Sequence, residues 1–168
     1  MTATINQRIA ANIEGDFVVF LIGARVNRWW KIPQILQTGR AMSRMLHELD
    51  EHPELGLLHH DAWLGRNALI VQYWRSFDHL HAYARAKDAE HLPAWTAFNR
   101  DIGLNGDVGI WHETYLVRAG EYEAIYGNMP LFGLARAGGW VPASERANTA
   151  KGRLGQSDGT DAPIKAPV

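Results

Sequence analysis

A chain of 168 residues with 46% hydrophobic and 21% charged side chains is long enough for one domain with a sizeable core, and too apolar to be disordered. Its formal net charge is -1 with Lys and Arg spread along the sequence, so there is no footprint for a phosphate backbone and no nucleic acid is expected as a partner. With zero cysteines, disulfides, thiolate-held metals, iron-sulfur clusters and cysteine nucleophiles are excluded together, and chemistry must come from His, Arg, carboxylates, Tyr or a cofactor.

Residues 1–15 carry Arg8 but no apolar stretch ahead of a small-residue cleavage site, so they read as an N-terminal arm rather than a secretory signal. The longest apolar run, Phe17-Val18-Val19-Phe20-Leu21-Ile22, is too short to span a bilayer and reads as a buried strand from Asp16 to Val26. No membrane contact and a cytoplasmic location are the resulting expectations. From Pro33 to Asp50, Ile35, Leu36, Met42, Met45, Leu46 and Leu49 recur mostly at three- and four-residue steps, which is one helical face with a proline in its first turn. His52-Pro53 ends that helix.

Leu55 to Leu64 reads as a second strand, Arg66-Asn67 as a turn, and Ala68 to Trp74 as a third strand. Ser76 is placed to cap a helix through Leu80, Tyr83 and Ala84, and Asp88 to cap a further segment from Ala89 to Arg100. Gly103 to Asp107 is a loop before a fourth strand, Val108 to Val117. Ala119 to Tyr126 reads as a helix stopped by Asn128-Met129-Pro130. From Pro142 the chain is rich in Ala, Gly, Ser, Asp, Lys and Pro, and residues 142–168 read as a flexible tail that cannot repay its ordering entropy by burial.

The order is βαββαβ, which predicts an α+β, ferredoxin-like domain over residues 16–141: one antiparallel four-stranded sheet with helices on one side. The bare face of such a sheet needs a cover, and a homodimer packing two sheets together supplies one.

Strand alternation puts Val108, Ile110, His112, Thr114 and Leu116 on one face of the last strand, and Trp111, Glu113, Tyr115 and Val117 on the other. His112 is thereby set into a largely apolar face, as an acid/base group or as a core histidine bonded across the sheet. His91 precedes Trp95 and Phe98 at helical spacing, so the two imidazoles are candidates for opposite walls of one pocket; a helix-start histidine satisfied by backbone or water is the other reading. His59-His60-Asp61 invites a metal, but alternation separates His60 from the other two unless a bulge intervenes. Glu48, Asp50, Glu51 and Glu54 read as a solvated turn, and Trp29-Trp30 as a pocket mouth or a dimer interface.

The βαββαβ order, Phe20-Leu21-Ile22-Gly23-Ala24-Arg25-Val26-Asn27, Tyr73-Trp74-Arg75-Ser76, Tyr83-Ala84-Arg85 with His91, and Gly109-Ile110-Trp111-His112-Glu113-Thr114-Tyr115 together resemble the dimeric α/β-barrel superfamily. Within it the sequence is similar to a monooxygenase-like family of the antibiotic-biosynthesis-monooxygenase type that includes a fungal meroterpenoid-pathway oxygenase. The likeness runs from Asp16 to Gly133. A second resemblance is to haem-containing aldoxime dehydratases, which carry a helical axial His and a strand His-Glu pair; His91 and His112-Glu113 match those motifs. Haem-degrading monooxygenases of the same superfamily also place their axial His at the position of His91.

The resemblance implies a monooxygenase-type oxidoreductase acting on a small hydrophobic substrate. Haem b would be held by His91 and packed by Trp95 and Ile110, with His112 as distal acid/base. Arg25 ends the first strand and reads either as a bidentate partner for an anionic group, such as a propionate or a substrate carboxylate, or as a solvated strand-end cation. The alternatives are an aldoxime dehydratase-like haem lyase, a cofactor-free oxygenase, and a non-enzymatic dimeric ligand-binding barrel.

Overall fold

The computed structural model describes residues 3–86, 96, 100 and 105–156. The segment expected as a helix from Ala89 to Arg100, with His91 and Trp95, lies outside the described residues apart from Thr96 and Arg100. In chain order the elements are β1 (Ile5–Ala11), β2 (Phe17–Val26), α1 (Ile32–Glu51), β3 (Leu57–Trp63), β4 (Asn67–Trp74) and α2 (Phe77–Arg85). They are followed by β5 (Val108–Val117), β6 (Ile125–Met129), α3 (Gly133–Ala137), β7 (Trp140–Pro142) and α4 (Ala150–Arg153). Two units form, one from Val18–Tyr115 and one from Met1–Phe17 with Leu116–Val168. No helix among the described residues is long and apolar enough to cross a membrane.

The Val18–Tyr115 unit has the expected βαββαβ arrangement. Its sheet runs β3-β4-β2-β5, an open four-stranded sheet rather than a closed barrel. β2 and β3 both pair antiparallel with β4, in registers that include Val18↔Trp74, Ile22↔Ile70 and His60↔Gln72. Between Leu57 and His59 the register slips by one residue, a bulge that the uniform strand read from Leu55 did not contain.

Helix α1 starts with proline in its first turn and buries Met45 and Leu49. Helix α2 is capped by Ser76, whose hydroxyl accepts the His79 amide at 3.3 Å, and buries Leu80 and Tyr83. These side chains meet Val18, Leu57 and Trp74 from the sheet in one apolar core. Trp74 is 1% exposed, and its indole N–H donates to Gln72 Oε1 at 2.9 Å, so two buried polar groups satisfy each other. The Tyr83 hydroxyl donates to Glu48 Oε2 at 2.7 Å and ties α2 to α1. Glu48, read from sequence as part of a solvated turn, thus has a packing role that its long-range partner alone reveals.

A second polar clamp fixes the start of β5. The Asp107 carboxylate, 3% exposed, meets Arg28 at 2.9 Å and Lys31 at 3.7 Å, while its carbonyl accepts the amides of Asn27 and Arg28. The end of β2 therefore lies beside the beginning of β5. Farther along this pair Gly23 leaves room for a neighbour: a Cβ there would fall 2.5 Å from the Trp111 indole.

The other unit corrects three expectations. Residues 1–15 are more than an arm, because β1 pairs antiparallel with both β6 and β7 and buries Ile9, Ala10 and Ala11. Ala119 to Tyr126 is not a helix. A turn at Arg118–Glu121 with Gly120 at φ +78° leads into β6, and the Tyr122 hydroxyl accepts the Ile13 amide at 2.8 Å while its ring meets Phe17 edge-on. Pairing with β1 supplies hydrogen bonds that outweigh a weak helical preference.

The stretch expected as a flexible tail carries, up to residue 156, a 3-10 turn at Glu145–Asn148 and helix α4, capped by Thr149. Arg153 pairs with Glu123 and donates to the Ala147 carbonyl at 2.8 Å, polar contacts that hold it.

Candidate functional site

Within the Val18–Tyr115 unit a cavity of about 330 Å³ opens between the sheet and the two helices. Strands β2 and β5 supply Phe20 and Ile22, and Ile110, His112 and Thr114, at the alternating positions that face the helices; Trp111, whose indole lies over Gly23 on the other face, also borders the cavity. Helix α1 adds Thr38, Ala41 and Met42. Helix α2 adds Phe77, Leu80, His81 and Ala84, a stripe at i, i+3, i+4 and i+7 that shares Leu80 with the face buried in the core.

Two imidazoles stand in this apolar lining. His112 lies 5.5 Å from Phe20, ring centre to ring centre, at an interplanar angle of 39°. His81 stacks on Phe77, one turn away, at 5.7 Å and 23°. Among the described residues lining the cavity these are the only titratable groups, and neither has a hydrogen-bond or ion-pair partner among the described residues. Both are exposed to solvent. The Thr38 hydroxyl donates to the Gln34 carbonyl at 2.9 Å, so its proton is committed to the helix. The lining can therefore enclose an apolar body while offering imidazole nitrogen as proton donor or acceptor.

His112 and Ile110 are thus brought to one cavity. Arg25 is not part of it. It shares the strand face of Gly23, opposite to Ile22, and its guanidinium donates to Asn27 Oδ1 at 3.2 Å and Asn67 Oδ1 at 3.3 Å. His91 and Trp95 lie outside the described residues. Glu113 points away from its neighbour His112 and accepts the Tyr115 hydroxyl at 2.6 Å; that hydrogen bond, with the carboxylate charge, holds the Tyr115 phenol above its usual range.

No group of three or more potential metal ligands gathers among the described residues. In particular His59 pairs with Asp61 at 3.2 Å while His60 pairs with Asp50 at 3.2 Å. Trp29 and Trp30 are 75% and 58% exposed and pack edge to face on each other, away from the cavity lining. His81 was missed from sequence. Its signal was the Phe77, Leu80, His81, Ala84 spacing, which became legible only once α2 was known to turn that stripe toward β5.

Residues 17–134 match the family described as monooxygenase af470-like. The chain belongs to the monooxygenase af470-like family. Monooxygenase af470 of Aspergillus fumigatus is 28% identical over 159 residues, which cover 89% of this chain and 56% of that protein. This member of the family therefore spans a little over half the length of that relative. Among solved structures, an aldoxime dehydratase co-crystallised with butyraldoxime superposes with a TM-score of 0.61 at 15% identity, over 80% of this chain and 39% of that one. SnoaB, a cofactor-independent oxygenase from Streptomyces nogalater, gives a TM-score of 0.44 at 16% identity, over 61% of this chain and 94% of its own. The dehydratase likeness concerns the fold.

Proposed function

We propose that the chain is an oxidoreductase of the monooxygenase type that acts on a small hydrophobic molecule in the cavity, with His112 as acid/base. The observation that carries this reading is an imidazole without a protein partner among the described residues, set in a largely apolar lining, in a chain of a monooxygenase family. Phe20, Ile22, Met42 and Ile110 hold the apolar body of the substrate and displace water. His112 accepts a proton from a polar or activated position of that substrate, leaving an anion that molecular oxygen oxidises; the substrate supplies all four electrons, one oxygen atom enters the product, and His112 returns the proton to the other, which leaves as water. His112 stays free for this because Glu113 is bonded to Tyr115 on the other face.

The test is oxygen uptake with product analysis over small hydrophobic substrates, an aldoxime among them. Oxygen consumption with an oxygenated product is the expected result; a nitrile formed from the aldoxime without oxygen uptake would replace the oxygenase with a lyase.

The haem-dependent form of this proposal has His91 as axial ligand, with Trp95 and Ile110 against the macrocycle; bound there, haem iron would supply oxygen activation. Ile110 and the apolar walls suit a macrocycle face, but the described lining has no Arg or Lys to meet the propionates, and Arg25 lies on the opposite sheet face. Haemin added to the purified chain is expected to shift its Soret band, and His91→Ala to abolish that shift. Identical spectra for the two would remove His91 from the role and favour the cofactor-free oxygenase.

We also propose that a second copy of the chain covers the sheet face opposite the cavity, where Trp63, Trp111 and Tyr115 are 44%, 40% and 51% exposed. Large exposed aromatics grouped on one sheet face support such packing.

A further inference from the structure

Resting on that reading of the cavity, we propose that its ligand is an apolar carboxylate, whose ionised oxygens are met by His81 and His112 together. The two rings come from different elements, α2 and β5, and line the same chamber. Among the described residues nothing else that titrates lines the chamber: β2 presents Phe20 and Ile22, and α1 presents Thr38, Ala41 and Met42. Each ring packs on a phenyl group, with no acceptor for its N–H among the described residues.

In the open cavity both imidazoles are exposed to solvent. A ligand that fills the chamber removes this solvent, and each ring then needs a partner on the ligand itself. Two donors on separate walls call for a group that only accepts and carries more than one accepting oxygen, which describes a carboxylate. Among the described residues the lining contains no carboxylate that would repel it, and protonation of either imidazole turns a neutral contact into a charge-assisted one. A cavity of about 330 Å³ is at the small end for ligand pockets, so the apolar body is on the scale of one or two rings.

The probes are 2-naphthoate and its neutral counterpart 2-naphthalenemethanol, titrated calorimetrically into the intact chain. Imidazole gains its charge as pH falls, so naphthoate is expected to bind about tenfold tighter at about pH 6 than at about pH 8.5, while the alcohol binds alike at both. His81→Gln and His112→Gln should each remove part of that gain. The double variant should remove all of it, yet keep alcohol binding within about twofold, which verifies that the cavity is still folded.

Naphthoate that fails to bind the unaltered chain, that binds it independently of pH, or that keeps its pH response in the double variant would overturn the proposal. Its failure is separable from that of the oxygenase reading. Loss of the naphthoate preference leaves oxygen uptake untouched as a test, and absence of oxygen uptake leaves the carboxylate site standing.

Discussion

Replacing Trp74 by alanine is expected to cost about 3–5 kcal/mol of stability, read as a lower denaturant midpoint at unchanged slope. Trp74 is 1% exposed, pairs in register with Val18, and touches the core formed by Leu49, Leu57, Leu80 and Tyr83. Truncation leaves a cavity that the surrounding sheet and helices cannot close. It also takes the indole N–H from Gln72, itself 5% exposed, and an orphaned buried amide oxygen adds to the loss. Trp74→Phe keeps most of the volume and loses only the hydrogen bond, so it should cost clearly less. Equal losses for the two variants would mean that the Gln72 contact, not the packing, dominates.

His112→Gln is expected to lower turnover about 10²- to 10⁴-fold, the range of a positioned acid/base group, while stability stays within about 0.5 kcal/mol. The stability expectation follows from the ring's exposure and its lack of a hydrogen-bond partner among the described residues. The measurement is oxygen uptake at saturating substrate alongside a denaturant curve. Glu113→Gln is the control: Glu113 lies on the opposite strand face with Tyr115, and its loss should leave turnover within about twofold. Unchanged turnover in His112→Gln would remove the imidazole from the chemistry, and a fall for Glu113→Gln as large as for His112→Gln would mean that strand alternation does not separate the two roles.

Both expectations depend on how local signals are converted into contacts. Alternation in Val108 to Val117 was enough to send Ile110, His112 and Thr114 to one side, because a strand has a period of two and little local freedom to change it. Arg25 was read by its place at a strand end rather than by its face; in the structure it takes the face of Gly23 and donates to Asn27 and Asn67. His81 shows the opposite failure. Its helix was legible from the Ser76 cap and the Leu80, Tyr83 pattern, but a histidine next to a buried stripe points to a core, a cavity or solvent according to what stands opposite.

Sequence alone determined the elements whose stability is local or strongly periodic: α1 and α2 with their proline and serine starts, the four strands of the ferredoxin-like sheet, and the face on which His112 stands. Tertiary structure decided what depends on partners distant along the chain. Residues 5–11 became a strand by pairing with β6 and β7, Ala119 to Tyr126 gave up a weak helix to lead into β6, and Glu48 and Asp107 were drawn into contacts with Tyr83 and Arg28. The reason is physical: period and capping are energies within a few neighbouring residues, whereas strand pairing and the satisfaction of buried charge exist only after the chain has brought remote segments together.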